Sequence, residues 1–95
     1  MLTTNRAPYN TAKAALEAFG KVLSKEEQPH GIRVNIIGPG VTETARTRGW
    51  IAAARGVNTY EEALALAPFG RLGQTYDIAN LALFLVSEAA EYITG

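Results

Sequence analysis

The sequence predicts an α/β fold that is mostly helical and holds one strand. Two stretches, 12–23 and 78–86, repeat apolar residues at the spacing of one helix face. Between them, residues 32–37 read Ile-Arg-Val-Asn-Ile-Ile, a β-branched run with a glycine on either side, which is typical of a strand. These three observations indicate a globular α/β protein.

Composition and charge exclude several functional classes. The 95 residues include nine basic and nine acidic side chains, so we expect no nucleic-acid partner and no polybasic membrane anchor. There is no cysteine and a single histidine, His30, which excludes disulfides, thiolate chemistry and a multi-histidine metal centre. The longest apolar run, 81–86, is far shorter than the roughly 20 residues of a membrane helix. We therefore expect a cytoplasmic protein without a membrane partner.

The first helix is predicted from about residue 8 to residue 27. Pro8 suits a first helical turn, and Pro29 and Gly31 end the pattern. Gly20 lowers helix stability by about 1 kcal/mol relative to alanine, so we expect a packing reason, such as the close approach of another helix. The apolar stripe that we expect to face the core comprises Ala12, Ala15, Leu16, Phe19, Val22 and Leu23.

Three further helices are predicted after the strand. Two short ones cover 44–55 and 60–67, with turn residues between them. A stronger helix follows, with Thr75 or Asp77 as its cap and an apolar stripe that extends to residue 86.

The single strand is a problem for a complete fold. A strand cannot satisfy its backbone donors and acceptors alone. Residues 32–37 are apolar on both faces, as in a central parallel strand, and need neighbours that the rest of the chain does not supply. We therefore expect another chain, or the rest of a larger protein, to provide them.

Tyr9 and Lys13 are candidate catalytic residues. They lie four positions apart on the first predicted helix, so their side chains share one face. A tyrosine can exchange protons in catalysis if its pKa falls from about 10 toward neutrality, and a nearby cation favours that ionisation. The alternative is a pair of solvated side chains on a helix surface, and the spacing alone does not decide between the two.

The turn Gly38-Pro39-Gly40 directly follows the predicted strand. Ligands of open parallel sheets bind at the carboxyl ends of strands, and glycines let the backbone approach a ligand closely. Thr42 and Thr44 could hydrogen-bond an amide or a phosphate, or could instead cap the next helix. The sequence contains neither a Gly-x-Gly-x-x-Gly nor a Walker-type loop, so it carries no phosphate-binding fingerprint.

Five blocks in register resemble the C-terminal half of the short-chain dehydrogenase/reductase family. The blocks are Tyr9-Asn-Thr-Ala-Lys13, Pro29-His-Gly-Ile-Arg-Val-Asn35, Pro39-Gly40-Val-Thr-Glu-Thr44, the segment 70–87 that begins Gly-Arg-Leu-Gly, and Tyr92-Ile-Thr-Gly95. The resemblance implies the C-terminal half of a Rossmann-like, doubly wound parallel sheet domain. Residues 1–95 would then be part of that domain, with a catalytic helix, one central strand, a substrate lid and a final helix.

The resemblance also implies roles for individual residues. Tyr9 would be the acid/base that exchanges a proton with the substrate oxygen, and Lys13 would stabilise its ionised form and hold the nicotinamide ribose. The cofactor would be NAD or NADP, and the substrate a small carbonyl compound or alcohol. Further cofactor contacts would come from Pro39, Gly40, the backbone of Val41 and Thr44.

Part of the family's machinery does not occur in these residues. In the family, the glycine-rich nucleotide loop and the catalytic serine precede the tyrosine by more than eight residues. Only eight residues precede Tyr9 in this sequence. The family's last strand would follow Gly95. We therefore expect the chain to belong to an NAD(P)-dependent oxidoreductase and to be inactive alone.

The first helix has a second implied role. In this family the helix corresponding to 8–27 is commonly an oligomer interface, which would explain the small residues Ala14, Ala18 and Gly20. Residues 44–68 would form the substrate lid. An alternative function is that of a truncated, non-enzymatic relative that associates with a partner through the same helix.

Overall fold

The computed structural model describes residues 5–95, which contain four α-helices. Their bounds lie within one or two residues of the predicted ones. The helices are α1 (Ala7–Glu26), α2 (Ala45–Ala54), α3 (Tyr60–Ala65) and α4 (Thr75–Leu85). Short 3₁₀ turns occupy Gln28–His30, Pro68–Gly70 and Glu88–Ala90.

The chain divides into two compact units. The first comprises Met1–Ile36, described from residue 5 onward, together with Leu85–Gly95. The second is Ile37–Phe84. Tyr9 and Lys13, predicted for both catalysis and cofactor binding, therefore belong to the first unit, and the further predicted cofactor contacts in 39–44 belong to the second.

The helix α1 dominates the first unit. Pro8 lies in its first turn, as the sequence predicts, and the chain passes from Glu27 into the 3₁₀ turn that ends at Gly31. Gly31 has φ 71°, a left-handed conformation that favours glycine and reverses the chain. His30, which lies in this turn, is exposed and has its Nδ1 3.1 Å from Glu27 Oε2.

The predicted strand is not formed. Residues 32–40 have no regular secondary structure. The Val34 carbonyl accepts one backbone bond from Gly95 N at 2.8 Å, whereas the Val34 N–H donates to the Thr94 hydroxyl at 3.1 Å. A strand requires a ladder of backbone bonds, and no segment within residues 5–95 offers one to this run.

Gly20 has its packing reason within the first unit. It is buried, and a Cβ at this position would lie 2.8 Å from Ile36 Cγ1, so something would have to shift. The glycine therefore makes room for Ile36 and not, as predicted, for another helix.

Most of the predicted core stripe of α1 is exposed, which corrects its assignment; only the leucine at its C-terminal end is half-buried. Leu16, Phe19 and Val22 are 52%, 63% and 54% exposed. The helical periodicity correctly identified an apolar face, but residues 5–95 leave most of it uncovered. The α1 residues that are buried are Gly20 and Ser24.

The second unit has its own small core. Ile51 and Ala63 join α2 to α3, and Ala67 and Leu72 complete the cluster. An isolated parallel bridge links Thr42 to Gly73, with Glu43 N donating to Gly73 O at 2.7 Å and Gly73 N donating to Val41 O at 3.0 Å. This bridge fixes the loop before α2 against the residues before α4.

An ion pair lies at the start of α4. Arg71 Nη1 is 2.8 Å from Asp77 Oδ2, and the same oxygen accepts the Gln74 N–H at 2.7 Å. The Arg71 hydrogen bond and then the Gln74 N–H hold the pKa of Asp77 below its usual value. Asp77, one of the two predicted caps, therefore bonds to the backbone just before the helix.

The described part of the chain, residues 5–95, lacks two further features. None of its helices has the length and apolarity needed to span a membrane. Nor do these residues contain a group of three or more histidine, cysteine or acidic side chains placed to hold a metal ion.

Candidate active site

The structure brings Tyr9 and Lys13 together on α1. They occupy successive turns of the same helix face, and Lys13 Nζ lies 5.6 Å from the centroid of the Tyr9 ring. A cation at this distance is attracted by the electrons of an aromatic face, which helps to orient the ring. Tyr9 is 51% exposed, so it lies on the surface of the described part of the chain.

Arg6 is a second cation at the same tyrosine, and the sequence reasoning missed it. Its guanidinium carbon lies 4.1 Å from the Tyr9 ring centroid, closer than the Lys13 ammonium. The signal was available, because Arg6 precedes Tyr9 by three residues and adjoins the helix start. The Tyr9 ring therefore contacts two cations, one from a residue before it in the sequence and one from a residue after it.

The 38–44 loop presents an open backbone. Gly38, Pro39 and Gly40 are exposed, and a Cβ built at either glycine meets nothing within 4 Å in the described residues. Neither glycine has a positive φ. Packing and local conformation within residues 5–95 therefore do not require glycine at these two positions, which leaves a bare surface for something else to approach.

A cavity of about 420 Å³ borders this loop within the second unit. Gly40 and Val41 line it, together with Thr42, whereas the predicted contacts Pro39 and Thr44 do not. The volume is within the range of small-molecule pockets. Two of the predicted cofactor contacts, Gly40 and Val41, therefore border a cavity, and two do not.

Thr44 caps α2, which is the structural role that the sequence left open for it. Its Oγ1 accepts the Thr47 N–H at 3.1 Å and lies 3.1 Å from the Thr47 hydroxyl. Thr42, in contrast, donates its hydroxyl to Gly40 O at 3.1 Å. When Thr47 donates in the hydroxyl pair, the Thr44 hydrogen remains available to a ligand, so a cap and a ligand contact are compatible.

Glu43 is the second residue that sequence reasoning missed. Its Oε1 accepts Arg48 Nε and the Tyr60 hydroxyl, both at 2.7 Å, and its Oε2 accepts Gln74 Nε2 at 2.6 Å. These donors come from α2, α3 and the segment before α4. No spacing in the sequence indicates this convergence, because Gln74 is 31 residues away.

The three donors set the charge state of the Glu43 carboxylate. The Gln74 amide and then the Tyr60 hydroxyl hold the pKa of Glu43 below its usual value; desolvation opposes them, and Arg48 adds a smaller lowering effect. The same hydrogen bond raises the pKa of Tyr60. Arg48 also lies over the Tyr60 ring, 4.3 Å from its centroid, so two of the donors contact each other.

Comparison with known protein families supports the sequence resemblance. A family model described as enoyl-(acyl carrier protein) reductase matches residues 1–95. The chain is 44% identical over 91 residues to the 3-oxoacyl-[acyl-carrier-protein] reductase FabG of Escherichia coli, which covers 95% of this chain and 35% of that protein. It is 41% identical over 87 residues to the FabG of Aquifex aeolicus, and the match covers 92% of this chain and 33% of that protein. The chain therefore spans about a third of the length of these relatives.

Solved structures agree with these relatives. A short chain dehydrogenase family protein from Francisella tularensis superposes with a TM-score of 0.79 at 27% identity, over 99% of this chain and 41% of that one. The protein gox2181 superposes with a TM-score of 0.75 at 35% identity, over 97% of this chain and 36% of that one. Both matches support the Rossmann-like fold class that the sequence resemblance implies.

Proposed function

The chain belongs to the short-chain dehydrogenase/reductase family of oxidoreductases, and from this we propose that it carries the acid/base helix and part of the cofactor site of an NAD(P)-dependent reductase. The observation that carries the proposal is the Tyr9–Lys13 pair on one exposed helix face. The alternative of two unrelated solvated side chains does not explain why the pair occurs in a chain of this family.

The proposed reaction is hydride transfer to a carbonyl carbon. NAD(P)H, when bound, would supply the hydride and be oxidised in doing so. Tyr9 donates its phenolic proton to the substrate oxygen, so that the carbonyl becomes an alcohol, and Lys13 stabilises the negative charge left on the phenol. Lys13 also has the donors to hold the ribose hydroxyls.

The 38–44 loop supports the cofactor proposal. A flat nicotinamide ring can approach the backbone closely at a glycine, and Gly38 and Gly40 leave such a surface in the described residues. Pro39, Gly40 and Val41 are the proposed ring contacts, with Thr44 as a hydroxyl donor.

The substrate class is proposed from the relatives. The relatives' names specify 3-oxoacyl groups, whereas the family description names an enoyl group. A proton-donating phenol serves an oxygen that becomes a hydroxyl, so we favour a 3-oxoacyl thioester. We propose NAD or NADP as the cofactor and the cytoplasm as the location, and expect these residues alone to be inactive.

The exposed apolar face of α1 favours self-association. Leu16, Phe19 and Val22 form one stripe, and more than half of each is exposed. Such a stripe is unusual on a monomer and typical of an interface. We propose a homo-oligomer through this helix, and an association role without catalysis remains the second candidate function.

The test is Tyr9→Phe in the full-length protein. Removing the phenolic oxygen eliminates the proton donor and leaves the ring and its two cation contacts in place. We expect turnover of a 3-oxoacyl thioester, followed by the loss of NAD(P)H absorbance, to fall about 10²–10⁴-fold. Cofactor affinity, measured by fluorescence titration, should change little.

Tyr76→Phe is the matched control. Tyr76 lies on α4 and is 59% exposed, close to the 51% of Tyr9. Its substitution should leave turnover unchanged. Normal turnover in Tyr9→Phe would remove Tyr9 from the mechanism, and a full-length protein that has no reductase activity but assembles through α1 would favour the association role.

A further inference from the structure

Glu43 has a position that links two proposed parts of the active site. On one side it adjoins Thr44 and belongs to the 38–44 loop, whose backbone is fixed by the Glu43 N–H donating to Gly73 O at 2.7 Å. On the other side its carboxylate receives Arg48 and Tyr60, the first from α2 and the second from the start of α3.

The contacts form a closed cluster. Gln74 occupies the second carboxylate oxygen at 2.6 Å, and Arg48 lies over the ring of Tyr60. The Glu43 side chain is only 23% exposed, so water competes weakly for its oxygens. Hydrogen bonds to an ionised group are among the stronger ones in proteins, and here three converge on one side chain.

We infer that Glu43 is a positioning residue that holds the proposed substrate lid, α2 and α3, against the proposed cofactor loop. This inference rests on the proposed function, because only that function makes α2 and α3 a substrate lid and 38–44 a cofactor loop. The contacts that carry it belong to the second unit alone. In this proposal Glu43 acts through Tyr60 and Arg48 and not by contacting a ligand itself.

The inference predicts a specific kinetic pattern. In the full-length protein, Glu43→Gln keeps the shape of the side chain but removes its charge and one acceptor. The lid then populates its bound position less, so the KM for the thioester substrate should rise by about fivefold or more. The cofactor contacts of the loop backbone remain, so cofactor affinity and kcat at saturating substrate should change less than about threefold.

The matched control is Glu88→Gln. Glu88 is an exposed acid in the 3₁₀ turn Glu88–Ala90, outside the proposed lid and the 38–44 loop. It should leave KM unchanged. Tyr60→Phe, which deletes a single donor, should show a smaller rise, and its combination with Glu43→Gln should be less than additive because both remove the same bond. This milder variant keeps the test valid if Glu43→Gln folds poorly.

A second readout does not depend on activity. Amide hydrogen exchange of the full-length protein with bound cofactor should be faster in residues 45–65 of Glu43→Gln, and unchanged in α1. Equal exchange of residues 45–65 in Glu43→Gln and Glu88→Gln would overturn the inference, as would a fall in kcat with an unchanged KM. If the unsubstituted full-length protein shows no turnover, but exchange in residues 45–65 is still faster in Glu43→Gln, the proposed function is refuted. The role of Glu43 in holding α2 and α3 is then supported.

Discussion

Comparing Thr44 with Thr59 separates the effect of losing a helix cap from the effect of losing a cofactor contact. Each hydroxyl accepts the N–H three residues on, Thr47 N and Glu62 N, at 3.1 Å, and each precedes a short helix. The geometry of the two caps is therefore the same. Only Thr44 is proposed to contact the cofactor.

The expected losses of stability follow from the contacts. Thr59→Ala removes one cap and should lower the free energy of unfolding by about 1 kcal/mol. Thr44→Ala removes an equal cap and also the hydroxyl partner of Thr47, which is only 7% exposed. A poorly satisfied buried hydroxyl adds roughly another 1 kcal/mol, so the total should be about 2 kcal/mol.

Cofactor binding should separate the two variants further. Loss of one hydrogen bond of about 1 kcal/mol weakens affinity about fivefold, and we expect this only in Thr44→Ala. Urea unfolding and fluorescence titration of the full-length protein measure the two quantities, and Thr44→Ser should restore both. Equal losses of stability and of affinity in the two alanine variants would refute the reasoning.

Two further predictions concern charge and assembly. The carboxylates of Glu43 and Asp77 have lowered pKa values, so their contribution to stability is complete above about pH 4.5 and is lost as the pH falls through the lower native values. Asp77→Asn should therefore weaken the fall in the free energy of unfolding as the pH is lowered below about 4.5. Glu61→Gln, which changes an exposed acid, should leave that fall unchanged. Equal pH dependence in the two variants would contradict this. Phe19→Glu should shift the full-length protein to a smaller mass in light scattering and Phe69→Glu should not, whereas an unchanged mass in the first would exclude the α1 interface.

Local signals in the sequence located the helices well. Pro8, the glycine and proline after α1 and the threonine before α2 act through neighbouring backbone, so their effect could be predicted without knowing the fold. The Tyr9–Lys13 proximity also follows from helix geometry alone. The Arg6 contact follows the same rule but precedes the helix, where no periodic pattern drew attention to it.

Contacts between distant residues could not be predicted in the same way. The Glu43 cluster depends on how α2, α3 and the start of α4 pack around one carboxylate, which no spacing encodes. The 32–37 run shows the opposite case: its β-branched composition indicates a strand, but pairing requires neighbours outside residues 5–95. The apolar stripe of α1 is likewise an accurate pattern whose covering surface the sequence could not identify.

The transfer of a labelled hydride tests the central claim most directly. The full-length protein would be incubated with a reduced nicotinamide cofactor that carries deuterium at both positions of its reactive carbon and with a 3-oxoacyl thioester, and the product analysed by mass spectrometry. We predict one deuterium on the carbon of the new hydroxyl, and almost no labelled product with Tyr9→Phe. An unlabelled alcohol, or equal labelling in both proteins, would contradict the assignment of Tyr9 as the acid of an NAD(P)-dependent reductase.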